Sequence, residues 1–239
     1  MSGEHITVGK HRILLARSAR RRTTSLEIAN GIVKLRCPKR APIAHLVEFA
    51  QSKEQWLNKH QKVIGPPPPA INITDGMQVS LLEHDYHVRF DYGNSGEAVI
   101  NLETCDIRVP LARCKNIEHA VERKLTTLFK QTIKQYIDHR IVELSRVMNA
   151  SVKSTKVKDY KRRWGSCDRK ANLTFNWRLV FAPRTIVDYV IVHELAHITV
   201  FNHSPKFWRL VSLYYPDYLA AKEWIHTNGQ HLYRFARQD

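Results

Sequence analysis

His193-Glu194-Leu195-Ala196-His197, with His203 six positions further on, has the form H-E-x-x-H-x5-H. On a helix the two outer histidines fall one turn apart on the same face, near enough to share one metal ion. Glu194 lies between them and can reach a water on that ion. His203 follows the helix, where the returning chain can add a third nitrogen. Three protein ligands plus one exchangeable position form the pattern of a catalytic zinc site rather than a structural one. The chain has 13 His in 239 residues. Chance supplies about 0.04 H-E-x-x-H matches in such a composition, and the added His lowers this to about 0.002.

Zinc held by three neutral ligands lowers the pKa of its water to about 7. Glu194 is placed to take the proton and return it to a leaving group. Those parts suffice to hydrolyse a peptide bond, and they would serve a phosphoanhydride as well. His203 is the least constrained ligand. Its spacing matches H-E-x-x-H-x-x-G-x-x-H, but Val200 stands where that pattern has Gly. Asn202 tolerates left-handed geometry and is expected to end the helix instead. The bland alternative for His203 is a surface loop residue.

The elements around these residues can be read from periodicity. Ile186 to Ile198 is apolar on most sides, which predicts a buried metal helix starting at Pro183. Two His and a Glu in such a place are costly without a partner, and a metal supplies one. Ser204-Pro205 opens a further helix and Pro216 a last one. Upstream, Val152–Tyr160 and Asn172–Asn176 read as two strands joined through Arg163-Trp164-Gly165-Ser166-Cys167-Asp168. Either Val157–Tyr160 or Thr174–Trp177 could offer a sheet edge to an extended substrate. Trp164 could pack over the site or fill the core, Gly165 permits close backbone approach, and Arg162 and Arg163 would face an anion. Cys167 is a weak candidate for a fourth ligand. Tyr214, Tyr215 and Tyr218 could equally be packing residues. Asp217 could orient a ligand or start a helix.

A 3.6-residue period from about 116 to 148 predicts one long helix. Short runs between 77 and 109, separated by Asp, Asn and Gly, predict strands. Asn30-Gly31 between alternating segments predicts a two-residue β-hairpin. A helix follows it, with Ile43, Leu46, Val47, Ala50, Trp56 and Leu57 on one stripe. Pro66–Pro69 is a stiff spacer. The division expected is a hairpin-plus-helix module at 1–65, a β-rich segment at 70–112 and a catalytic domain at 113–239. No internal repeat is visible.

Arg163-Trp164-Gly165-Ser166-Cys167, Asn172–Leu179, His193–His197 and Asn202-His203-Ser204 with Phe207-Trp208 resemble the YgjP-like metallopeptidase family. Cys37-Pro38-Lys39 and the Trp56 helix are similar to its N-terminal part. The resemblance covers nearly the whole chain and extends to zincin peptidases, including the SprT-like group. It implies an α+β, zincin-like core of helices packed on a small antiparallel sheet. It further implies His193, His197 and His203 as zinc ligands and Glu194 as base.

Net charge is +16, with +9 in residues 1–70 and +6 in residues 151–170. Both segments would attract anions, although a basic surface can also serve solubility alone. The four cysteines form no C-x-x-C pair, which suggests free thiols in a reducing compartment. The N-terminus has no apolar signal core and no stretch reaches 18 apolar residues, so a cytoplasmic protein off the membrane is expected. The leading expectation is a zinc metallopeptidase acting on peptide or unfolded protein. The first alternative is a nucleotide (phosphoanhydride) hydrolase, motivated by the basic segment but lacking a Gly-rich phosphate loop. The second is a nucleic-acid-associated module with a structural metal, which would have no need of Glu194.

Overall fold

The computed structural model describes residues 4–29, 32–61, 71, 73–113 and 116–235. The Asn30-Gly31 turn, the Pro66–Pro69 spacer and Cys114 lie outside the described residues. The chain is of mixed α+β type and divides into two compact units, Met1–Pro69 and Ala70–Asp239.

The first unit holds β1 (His5–Val8), β2 (His11–Ser18), β3 (Ser25–Ala29) and β4 (Ile32–Pro38). Apolar and polar residues alternate along β1, β2 and β4, which buries one face of the sheet. Strand order is β1-β2-β4-β3. β1 and β3 pair antiparallel with their neighbours, while β2 and β4 are parallel. Gly9 takes φ +54° at the first position of the two-residue turn joining β1 to β2, where a β-carbon would be strained. Sequence reading predicts only the β3–β4 hairpin here. The expected single helix is two, α1 (Ile43–Gln51) and α2 (Glu54–Gln61). Leu46, Ala50 and Leu57 are buried in this unit's core, but Ile43, at the start of α1, and Trp56, beyond the break at Ser52-Lys53, are exposed.

The second unit begins with β5 (Gln78–Leu81), β6 (His84–Tyr92), β7 (Val99–Asn101) and β8 (Asp106–Leu111). Their order is β5-β6-β8-β7, again with one parallel pair, β6 and β8, between antiparallel neighbours. The two sheets therefore share one topology, although the sequence shows no repeat. Helix α3 (Ile117–Val147) comes next, capped by the Asn116 side chain, which accepts from the His119 N–H at 2.9 Å. Its buried stripe runs from Val121 to Ile141.

A second sheet of this unit is built from β9 (Ser154–Lys158), β10 (Gly165–Cys167) and β11 (Asn172–Asn176). Its order is β10-β11-β9, with β10 antiparallel and β9 parallel to β11. Then come α4 (Arg184–Thr199), α5 (Pro205–Tyr214) and α6 (Tyr218–Asn228). One continuous core runs through this unit from Val79 to Phe235. Around Phe129 it gathers Trp177, Phe181 and Phe235, with ring centroids 4.8–6.4 Å away. Helix α4 is held to α3 by Asp188, which accepts from Tyr136 Oη at 3.0 Å and from Arg140 at 2.7 Å. Among the described residues no helix is long and apolar enough to cross a membrane.

Candidate metal centre

Helix α4 is buried along most of its length, Glu194 included. It carries His193 and His197 on the face turned toward α5. The helix ends earlier than the sequence suggests. Thr199 is its last residue, and Val200 is extended with φ −132°. Asn202 is not left-handed; its Oδ1 accepts from Ser204 N–H at 3.3 Å. This short return brings His203 back over the helix. Its Nε2 lies 3.0 Å from Nε2 of His193 and 3.2 Å from Nε2 of His197. Nitrogens on a tetrahedral zinc, with bonds of 2.0–2.1 Å, sit about 3.3 Å apart. The three side chains thus fit such an ion, and they form a candidate metal cluster among the described residues.

The charge state suits the same role. Burial, reinforced by its histidine neighbours, pushes His193 down to about 3. Burial also lowers His197. Both rings are neutral near pH 7 and keep a lone pair. His197 Nδ1 lies 3.1 Å from the Val200 carbonyl. A carbonyl only accepts, so Nδ1 carries the proton and Nε2 is free to bind. Nδ1 of His193 is buried without a hydrogen-bond partner. Phe207, at the base of the site, holds all three imidazoles, with centroids 4.5–4.9 Å away. Trp208 stacks on His203 at 5.7 Å. Ring packing rather than carboxylates fixes these rotamers, and Asp217 precedes α6 instead of meeting a ligand.

Glu194 is only 5% exposed. Burial pushes its carboxyl up to about 8, opposed by the nearby Arg163 guanidinium. The Gly165 backbone lies directly against this side chain. A β-carbon at Gly165 would come within 2.6 Å of Glu194 Cγ and 2.8 Å of Cδ. Only glycine permits that approach.

The three histidines and Glu194 open into a cavity of about 450 Å³, lined on one side by Arg163 to Cys167 and on the other by Lys222 and Ile225 of α6. Strand β10 is the sheet edge that meets it. Thr174–Asn176 is no edge, because β11 is the central strand; β9 is the opposite edge. Trp164 lines the cavity while packing on Tyr233 at 5.3 Å and against Gly229. Arg162 is exposed and outside the lining, so only one of the two arginines faces the site. Cys167 lines the cavity, but its thiol points to the Asp168 carbonyl and lies outside the histidine cluster. Burial pushes that thiol up to about 11.

Sequence reading missed Tyr189, Val190, Phe201, Lys222 and Ile225, which complete the lining. Tyr189 lies one turn before His193 on α4, while Lys222 and Ile225 share one face of α6, a helix the histidine motif does not point to. It also missed what shapes the Tyr160–Arg163 loop. Asn176 is fully buried and donates to the carbonyls of Tyr160 and Arg163 at 2.9 and 3.1 Å. Tyr233 Oη donates to the Tyr160 carbonyl at 2.8 Å.

The family described as YgjP-like, metallopeptidase domain, matches residues 22–228. No curated protein matches the chain. Among solved structures, the metallopeptidase zymogen abylysin of Pyrococcus abyssi aligns with 39% of this chain and 95% of its own, at 19% identity and a TM-score of 0.37. The zymogen jannalysin of Methanocaldococcus jannaschii aligns with 39% of this chain and 92% of its own, at 23% identity and a TM-score of 0.32.

Proposed function

The chain belongs to the YgjP-like metallopeptidase-domain family, and from that premise we propose that it is a zinc-dependent, zincin-type peptidase with Glu194 as its general base. The observation that carries this reading is the convergence of three imidazole nitrogens in the cavity that also contains the Glu194 carboxyl. His193, His197 and His203 would hold the ion. Zinc bound there would supply a Lewis acid and bring the pKa of water to about 7.

The protein's own groups do the rest. Glu194 takes a proton at its carboxylate and returns it to the leaving amine. Burial raises Glu194, and a divalent ion held by the three histidines would favour its carboxylate form. Gly165 fixes where that carboxylate stands. Strand β10 pairs on one side only among the described residues, so its other edge can add an extended peptide as a further strand. Arg163 and Lys222 flank the bound chain. The phosphoanhydride alternative keeps Arg163 in the lining but not Arg162, and among the described residues no Gly-rich phosphate-cradling loop lines the cavity.

The test is a cleavage assay on casein and a mixed peptide library with zinc-loaded protein. Glu194→Gln should retain about one zinc per chain and lose at least ~10²-fold in activity. His193→Ala and His197→Ala should each abolish stoichiometric zinc, and His203→Ala should weaken it. Undiminished cleavage by Glu194→Gln would refute the base assignment.

A further inference from the structure

We propose that the N-terminal unit carries a nucleic-acid binding surface, formed by Arg20, Arg22, Lys39 and Arg40 at one end of its sheet and directed at the phosphodiester backbone. In the sequence these residues lie in two separate clusters. The parallel pairing of β2 with β4 brings them together. Its register ends at Arg17↔Cys37 and Ser18↔Pro38, so both strands leave the sheet side by side. The Ser18 carbonyl accepts from Lys39 N–H at 3.0 Å and from Arg21 N–H at 3.4 Å, tying the two exits to one point.

Two basic residues there are framework. Arg17 donates to the carbonyls of Lys39 and Ala41 at 3.3 and 2.7 Å and binds the Glu4 carboxylate. Arg21 donates to the Thr23 carbonyl and to Ser25 Oγ. Arg20, Arg22, Lys39 and Arg40 are exposed. Glu4 is engaged by Arg17, and Glu27 by Arg36, so neither offsets the projecting charges. Helix α1 starts three residues after Arg40 with no acidic residue in its first turn, which adds positive potential at the same end.

The molecule contains its own control. The sheet of β5 to β8 has the same topology, and its loop between β6 and β7 corresponds to the loop between β2 and β3. There the loop residues are Gly93-Asn94-Ser95-Gly96-Glu97-Ala98, with no cation among them, although Arg113 follows β8 as Arg40 follows β4 and Lys124 of α3 donates to the Gly96 carbonyl. The topology therefore does not require the loop arginines, Arg20 and Arg22. Arginine favours phosphate over other anions because its planar fork binds two oxygens at once. The segments that carry the four residues, 18–25 and 38–42, contain no Phe, Tyr or Trp for base stacking, so binding should be independent of sequence and dominated by salt.

The experiment measures anisotropy of a labelled duplex DNA with the full chain across a salt series. Neutralising four phosphate contacts corresponds to a slope in log K against log salt of about −3.6, or about 150-fold weakening from 50 to 200 mM. Replacing all four residues (R20Q, R22Q, K39Q, R40Q) should flatten the slope by about that amount. A control removing equal charge from the second unit (K130Q, K153Q, K156Q, K158Q) should change it by less than about one. The charge-conserving R20K, R22K, R40K variant should keep the slope. If the fourfold variant does not fold, the pairs R20Q/R22Q and K39Q/R40Q should each remove about half. Equal flattening by the control would overturn the proposal, as it would reduce the effect to net charge. So would tighter binding to polyglutamate or to phosphatidylserine vesicles than to DNA, or the absence of salt-dependent binding.

Discussion

The two four-stranded sheets have the same strand order and the same alternation of pairing sense, yet they do different work. The first is closed by two short helices of nine and eight residues and forms a small core of its own. The second continues into a 31-residue helix and shares its core with the histidine-bearing helices. Alternation and tight turns are enough to make a sheet, while the helix attached to its last strand decides which core the sheet joins. The likeness is invisible as sequence because each sheet needs only apolar residues at every second place.

If the cores are separate, damage to one should leave the other intact. Phe129→Ala removes the ring at the centre of the second core and should cost about 3–5 kcal/mol. Leu35→Ala, fully buried in the first, should cost about 2–5 kcal/mol. Calorimetry should show each variant shifting one of two transitions. A single transition that moves with either substitution would abolish the distinction between the units.

The next effect belongs to the second unit alone. Gly165→Ala forces a β-carbon against Glu194, at about 1–3 kcal/mol for overpacking. The displaced carboxylate should cost more than ~10-fold in activity with zinc content unchanged. Wild-type activity in this variant would show that the contact does not position the base.

Much of this site is legible in the amino-acid sequence alone. The long α3 stripe and the histidine spacing repeat at helical intervals, and periodicity survives in one dimension. Arg163, Trp164 and Gly165 are legible because they are clustered. The rest is not. Lys222 and Ile225 reach the cavity from α6 through tertiary packing. Strands β1 and β2 escape sequence reading although Ile6, Val8, Ile13 and Leu15 alternate, because β1 is only four residues long and the Leu14-Leu15-Ala16 run interrupts the polar side of the alternation in β2. The helix end differs from expectation because His203 returns through an extended Val200 and not through a left-handed Asn202.

A smaller effect concerns the loop beside the cavity. Arg178 is 2% exposed and lies over the rings of Trp177 and Tyr233 at 4.5 and 4.8 Å. Asp159 is its ion partner. Burial works against the Asp159 carboxylate, but the bond to Arg178 outweighs it and holds the group below its ordinary value. A lowered carboxylate gives stability that is present above about pH 4 and lost as pH falls below it. Asp159→Asn should therefore remove that acid limb from the second transition. Its cost at pH 7 should be about 1–2 kcal/mol, below that of a fully buried pair because Asp159 is half exposed.

The smallest effect separates residues that build the first sheet from residues that only project from it. Arg17 ties β2 to the segment after β4 through two carbonyls, whereas Asp91 stands at the matching register position of the second sheet. Arg17→Gln should therefore lower the first transition and leave the second in place. Arg20 and Arg22 are exposed, and the corresponding loop of the second sheet folds with glycines and asparagine. Arg20→Gln with Arg22→Gln should leave both transitions within the ~0.5 kcal/mol usual for surface changes. Removing like charges that crowd one another could even raise the first transition at low salt, and added salt would then erase the gain. A large destabilisation by the Arg20 and Arg22 pair would mean that these residues hold the loop together, and the correspondence between the two sheet ends would fail at that point.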